Sequence, residues 1–228
     1  MLSRMRLISL LLLALTLILT ACGGFIDGQL IPSTGGVPSH LLSIQGRAKD
    51  TMDNALMYGW VKVEMNVRAI DQAWQAYQPQ AETDRVPQSL RDTFSQVFMR
   101  LQEASTAKDI ARMMQAANDL NAAVVELIDL YHPQTPTDID RLDVLERQVV
   151  LGAVADDFNA VEASLAKTNA IWQNLKPSIQ AHKGADLAAQ FESSLAEQSN
   201  ALKAKDATAL VDEATKSLEL VNAMRNLF

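Results

Sequence analysis

Beyond residue 38, apolar side chains recur in steps of three and four, the spacing that lines up one face of an α-helix. Leu56, Trp60, Val63, Val67, Ile70, Trp74 and Tyr77 form one series, and Val154, Phe158, Val161, Leu165, Thr168, Trp172 and Leu175 a second. Pro38 with Ser39 marks the start of the first helix, and Pro136 with Thr137 the start of the second. A hydroxyl at either start can accept from free backbone N–H groups, and Asp140 completes a capping box. Pro79 and Pro177 lack a donor N–H and crowd the preceding turn, so each helix is expected to end there or within a residue or two. A further helix begins near Pro87, with Leu90, Phe94, Val97 and Leu101 as its stripe. Its counterpart begins near Gly184, with Leu187, Phe191, Leu195 and Leu202. Continuing these stripes would bury Lys108 or Lys205, so Asp109 and Asp206 are read as N-caps of separate helices. Ile110, Met113, Ala117, Leu120, Val124, Leu127 and Tyr131 form the last stripe of the first set.

The two series belong to an internal duplication. A shift of 98 positions superimposes Pro38 on Pro136, Ala55 on Ala153, Trp74 on Trp172 and Pro79 on Pro177. After one residue is dropped, a shift of 97 superimposes Phe94 on Phe191, Ala107-Lys108-Asp109 on Ala204-Lys205-Asp206, and Tyr131 on Phe228. Trp and Pro are scarce, so their coincidence at one offset marks two copies of one unit, residues 39–131 and 137–228. The expected fold is all-α: an antiparallel helical bundle of two tandem pseudo-twofold copies with about six helices. The alternative is a long four-helix bundle in which residues 87–131 form one kinked helix.

The first 38 residues read differently. Arg4 and Arg6, the apolar stretch Leu7 to Leu19 and the small residues after it have the three-part layout of a secretory signal, with an apolar run shorter than the roughly 20 residues of a comfortable span. The run Leu19-Thr20-Ala21-Cys22-Gly23 resembles the lipobox of bacterial lipoproteins. That resemblance covers residues 1–22 only and implies cleavage before Cys22 and acylation of its thiol, by palmitate or a similar chain. Two or three acyl chains, at about 0.8 kcal/mol per buried CH₂, hold a protein permanently to a membrane. Residues 22–38 carry five of the nine glycines from Gly23 onward and two prolines, as in a flexible tether. The expected location is the cell membrane or outer membrane, facing away from the cytoplasm. Gly23 after the cysteine resembles outer-membrane sorting in a Gram-negative host.

Charge and composition narrow the function. Removing residues 1–21 takes away two basic residues and no acid, which leaves 18 basic against 27 acidic side chains. No basic patch exceeds Lys203 with Lys205, so nucleic acid is not an expected partner. With Cys22 the only cysteine, an internal disulfide and Cys-based zinc or iron–sulfur sites are excluded. The histidines His40, His132 and His182 have no evident nucleophile or acid beside them, there is no Gly-rich phosphate loop, and no catalytic residue is expected. Glu-x-x-His pairs for iron are absent. Met113 and Met114, among seven methionines of the mature chain, leave open a carrier of copper, iron or a small cofactor as the alternative function. Asp138, Asp140 and Asp143 suit a first helical turn better than a calcium loop, which needs a glycine turn and a terminal glutamate. Trp60, Trp74 and Trp172 lie on the apolar series and are read as core or as lining of a groove between the copies. The expected protein binds or scaffolds an envelope partner or a small apolar ligand, with no cofactor and no covalent chemistry.

Overall fold

A computed structural model describes residues 36–228, and every regular element among them is an α-helix. Eight follow one another: α1 Ser39–Leu56, α2 Trp60–Thr83, α3 Gln88–Ala107, α4 Ile110–Asp129, α5 Thr137–Val154, α6 Phe158–Ala181, α7 Ala185–Ala204 and α8 Ala207–Arg225. The lengths run 18, 24, 20 and 20 residues, then 18, 24, 20 and 19.

Eight helices replace the six expected, because each long first segment folds back on itself. Tyr58 takes a left-handed backbone (φ 54°), and the Gly59 N–H reaches back to the Asn54 carbonyl at 2.8 Å. Asp156 (φ 54°) and the Asp157 N–H to the Gly152 carbonyl, also 2.8 Å, do the same between α5 and α6. This closure satisfies the last carbonyls of the preceding helix. The four-residue step from Leu56 to Trp60 hides the turn in the sequence, since it preserves the apolar rhythm. Leu56 and Val154 are exposed instead of buried.

The prolines end nothing: α2 runs through Pro79 to Thr83, and α6 through Pro177 to Ala181. Both face solvent, so the carbonyl one turn back, deprived of its N–H partner, can turn to water. Ser39 and Thr137 do not cap; Pro38 and Pro136 occupy the capping positions without a side-chain bond. The Thr137 hydroxyl donates to Asp129 instead. The aspartate caps are present. Asp109 accepts from the Arg112 N–H at 3.1 Å and Asp206 from the Ala209 N–H at 3.0 Å, each after a left-handed lysine, so the long kinked helix of the alternative is broken at both places.

The helices gather around two separate apolar cores. In the first four, α1 packs on α2 and α4, and α4 on α3; in the last four, α5 packs on α6 and α8, and α8 on α7. Trp74 stacks on Phe94 with ring centroids 3.7 Å apart in the first core, and Trp172 tilts against Phe191 at 4.7 Å in the second. The sets meet along α4 and α5. That contact explains why α4 is buried on nearly every side, from Met113 and Leu120 toward its own core to Asn118 and Val125 toward α5.

Candidate functional site

Where the two sets meet, α4, α5 and α6 enclose an apolar groove of about 320 Å³. Ala122 and Val125 of α4, Val144 and Leu145 of α5, and Ala170 and Ile171 of α6 make its walls. Several of these residues lie one position off the buried stripes: Val125 follows Val124, Val144 follows Asp143, and Leu145 and Ile171 precede Glu146 and Trp172. Each helix thus carries a second, shorter apolar face after its first has gone into a core. Glu126, Arg141 and Lys167 stand at the rim.

The rim charge is largely spent. Arg141 lies 2.9 Å from each of Glu126, Asp129 and Asp138, and the hydrogen bond it donates to Glu126 is foremost in raising its pKa above the ordinary guanidinium value. A guanidinium shared among three carboxylates has no fork free for a ligand anion. The groove therefore offers shape and apolar surface, with charge confined to its edge, which suits an uncharged hydrophobic group of modest size.

Polar contacts hold the groove's walls in register. Gln115 and Gln148 exchange bonds at 2.8 and 3.1 Å, and the Asn118 amide donates to the Val144 carbonyl at 3.1 Å. On the far side of α5, Lys49 of α1 reaches Asp143 at 3.1 Å and Asp140 at 3.7 Å, while Arg225 of α8 reaches Asp140 at 2.7 Å. Burial alone would push the Asp143 carboxyl up. Lys49 and Arg147 outweigh it and hold the group below the usual aspartate value. Asp140 is a first-turn acid, as read from sequence, while Asp143 lies a turn further on, and through Lys49 both tie the two sets of helices together.

A second cluster lies inside the core of the last four helices. Glu146 of α5 is fully buried, and its Oε2 accepts from the Gln198 amide at 2.9 Å. The same amide reaches the Ser217 hydroxyl at 2.9 Å, Ser217 donates to Ser194 at 3.0 Å, and Ser194 donates to the Glu213 carbonyl at 3.0 Å. Burial pushes the Glu146 carboxyl up to about 8, an effect the Gln198 bond only partly offsets. Glu146 Oε1, Gln198 Oε1 and Thr168 Oγ1 have no partner in the protein. A polar seam thus runs from the α7–α8 surface to a carboxyl in the core whose charged form burial disfavours.

The residues singled out from sequence do not converge. Cys22 lies outside the described residues. Trp74 sits in the first core and Trp172 in the second, its indole N–H 3.4 Å from Glu192; Trp60 is half-buried at the start of α2 against the first core. None of the three lines the junction groove. Met113 and Met224 fill different cores, Met114 is half-buried, and among the described residues no three His, Cys, Asp or Glu side chains gather as metal ligands. No helix among the described residues is long and apolar enough to cross a membrane. No family model, curated protein or solved structure matches the chain.

Proposed function

We propose that this chain is a lipid-anchored, non-enzymatic binding protein of the bacterial cell envelope, whose body is two pseudo-twofold copies of a four-helix unit. The repeated helix lengths support the duplication, as does the placement of each helix start in the second set 98, then 97, positions after its counterpart. The leader and Cys22 support the anchoring. Acylated Cys22 then holds the body at the outer face of a membrane, where the α4–α5–α6 groove binds a small apolar ligand. The groove carries this reading: it is open, walled by six apolar side chains, and made by a contact that only the joining of two units creates.

Mass spectrometry of protein from bacterial membranes tests the anchor, which predicts loss of residues 1–21 and acyl mass on Cys22. A photoactivatable apolar diazirine tests the groove. Crosslinks should map to Val144, Leu145 and Ile171 and disappear when Ala170→Trp, an exposed position where the larger ring leaves the cores undisturbed, fills the opening. Crosslinks spread evenly over the surface, or unchanged by Ala170→Trp, would refute ligand binding there.

A further inference from the structure

Five of the eight large apolar side chains that stand exposed among the described residues cluster at or beside the turn between α1 and α2. Met57 is 81 % exposed, Tyr58 72 % and Val61 73 %, with Leu56 and Met65 more than half exposed beside them. Trp60 lies half-buried among these residues. From Asn54 to Val61 there is no charged residue, and Lys62 follows.

The matching turn between α5 and α6 serves as an internal control. It has the same length and the same left-handed residue, yet its sequence is Val154-Ala155-Asp156-Asp157-Phe158, and of the large apolar side chains only Val154 stands out. Backbone geometry prefers the second version, because Asp tolerates a φ of 54° far better than Tyr does. Tyr58 is therefore favoured neither by its conformation nor by burial. A strained, exposed aromatic points to a role outside the fold.

We propose that the α1–α2 turn is a second membrane contact, with Leu56, Met57, Tyr58, Val61 and Met65 entering the headgroup–acyl boundary of a phospholipid bilayer. Aromatic side chains with polar tips favour that layer, and an uncharged convex turn can meet a planar surface without desolvating an ion. The Asp156–Asp157 turn would be rejected there. This inference rests on the anchoring proposed above, which brings the body to lipid, and the distances agree with it. The 18-residue α1 is about 27 Å long. The chain from Cys22 to Ser39 spans ~21–25 Å as a coil and ~55–60 Å extended. That length of chain is enough for an anchor at Cys22 and the α1–α2 turn to meet the same bilayer.

The test uses the full chain, reconstituted in phosphatidylcholine vesicles, with the environment-sensitive thiol dye NBD on Met57→Cys or on Ala155→Cys, its counterpart. The unsubstituted protein should take no label, since an acylated Cys22 has no free thiol. At position 57 a blue shift and quenching by spin-labelled lipid are expected, and at 155 neither. Tyr58→Asp should abolish the response at 57 without lowering the thermal midpoint. Equal responses at 57 and 155 in an acylated preparation would overturn the turn's role and leave the anchor standing. A blue shift that follows protein concentration and not lipid would overturn it in favour of contact between copies. Label uptake by the unsubstituted protein would bring down the anchoring and this inference with it.

Discussion

The first and last four helices match in length to within one residue but differ in the chemistry of their cores. Positions that hold Ala48, Ile70, Val97, Leu101 and Leu120 in the first set correspond, by the 98 and 97 shifts, to Glu146, Thr168, Ser194, Gln198 and Ser217 in the last. All ten are buried. At these five positions the first core is apolar, and burial there is worth roughly 25 cal/mol per Å². Its polar groups lie elsewhere, as in the hydroxyl pair of Tyr77 and Tyr131 at 2.9 Å and the buried Asn121. The last keeps part of its interior together by hydrogen bonds that leave three oxygens without protein partners. A helical scaffold of this size tolerates such a seam only if it folds as one connected network, because each broken bond strands another polar group. The difference shows that one succession of helices and turns accommodates two sets of buried residues of unlike polarity.

The comparison breaks most sharply if the seam is moved. Leu101→Gln places the side chain of Gln198 where no Glu146 or Ser217 waits for it, and should cost about 3–5 kcal/mol in urea unfolding. Equal stability of this variant and the parent would show that the surroundings of Leu101 accept a polar group as readily as those of Gln198. The reverse exchange bears on pH. The folded Glu146 carboxyl titrates near 8, above the ordinary 4.5, so folding retains a proton that the unfolded chain loses. Its contribution is complete below pH 4.5 and is lost as pH rises to 8. Unfolding free energy should fall by about 2–4 kcal/mol across that window, and Glu146→Gln should remove most of the slope.

Smaller effects sharpen the contrast at the junction and the caps. Lys49→Ala leaves Asp143, 1 % exposed, with Arg147 as its remaining partner, and should cost about 2–3 kcal/mol at neutral pH. Because the folded Asp143 carboxyl lies below its ordinary 3.8, the difference between variant and parent should shrink as pH falls through and below that value. Asp109→Ala and Asp206→Ala should each cost about 1 kcal/mol, read as shifts in the thermal midpoint. Their near equality would locate the asymmetry in the cores and not in the helix ends.

Helical content, the aspartate caps and the starts of α3 and α7 were legible in the sequence because local rules govern them. The turns at Tyr58 and Asp156 were not, since the apolar rhythm passes through them unbroken and a left-handed turn here uses residues other than glycine. Pro79 and Pro177 misled because both face solvent, where the carbonyl one turn back that loses its N–H partner can be hydrated. Of the tryptophans, read as core or as groove lining, Trp74 and Trp172 go into cores and Trp60 packs half-buried against the first; none of them lines the α4–α5–α6 groove. It is built instead from Val125, Leu145 and Ile171, whose signal was a second apolar residue adjacent to each stripe. Glu146 did leave a mark: it falls between Leu142 and Val149 on the buried face of α5, where a charged residue breaks the pattern.

The division of aromatic residues between the cores gives the molecule its own optical reporters. Trp60 and Trp74 belong to the first four helices, and Trp172 is the one indole of the last four. With the first two replaced by phenylalanine, emission would come from Trp172 alone. The loosening of one core could then be followed while its neighbour stays dark.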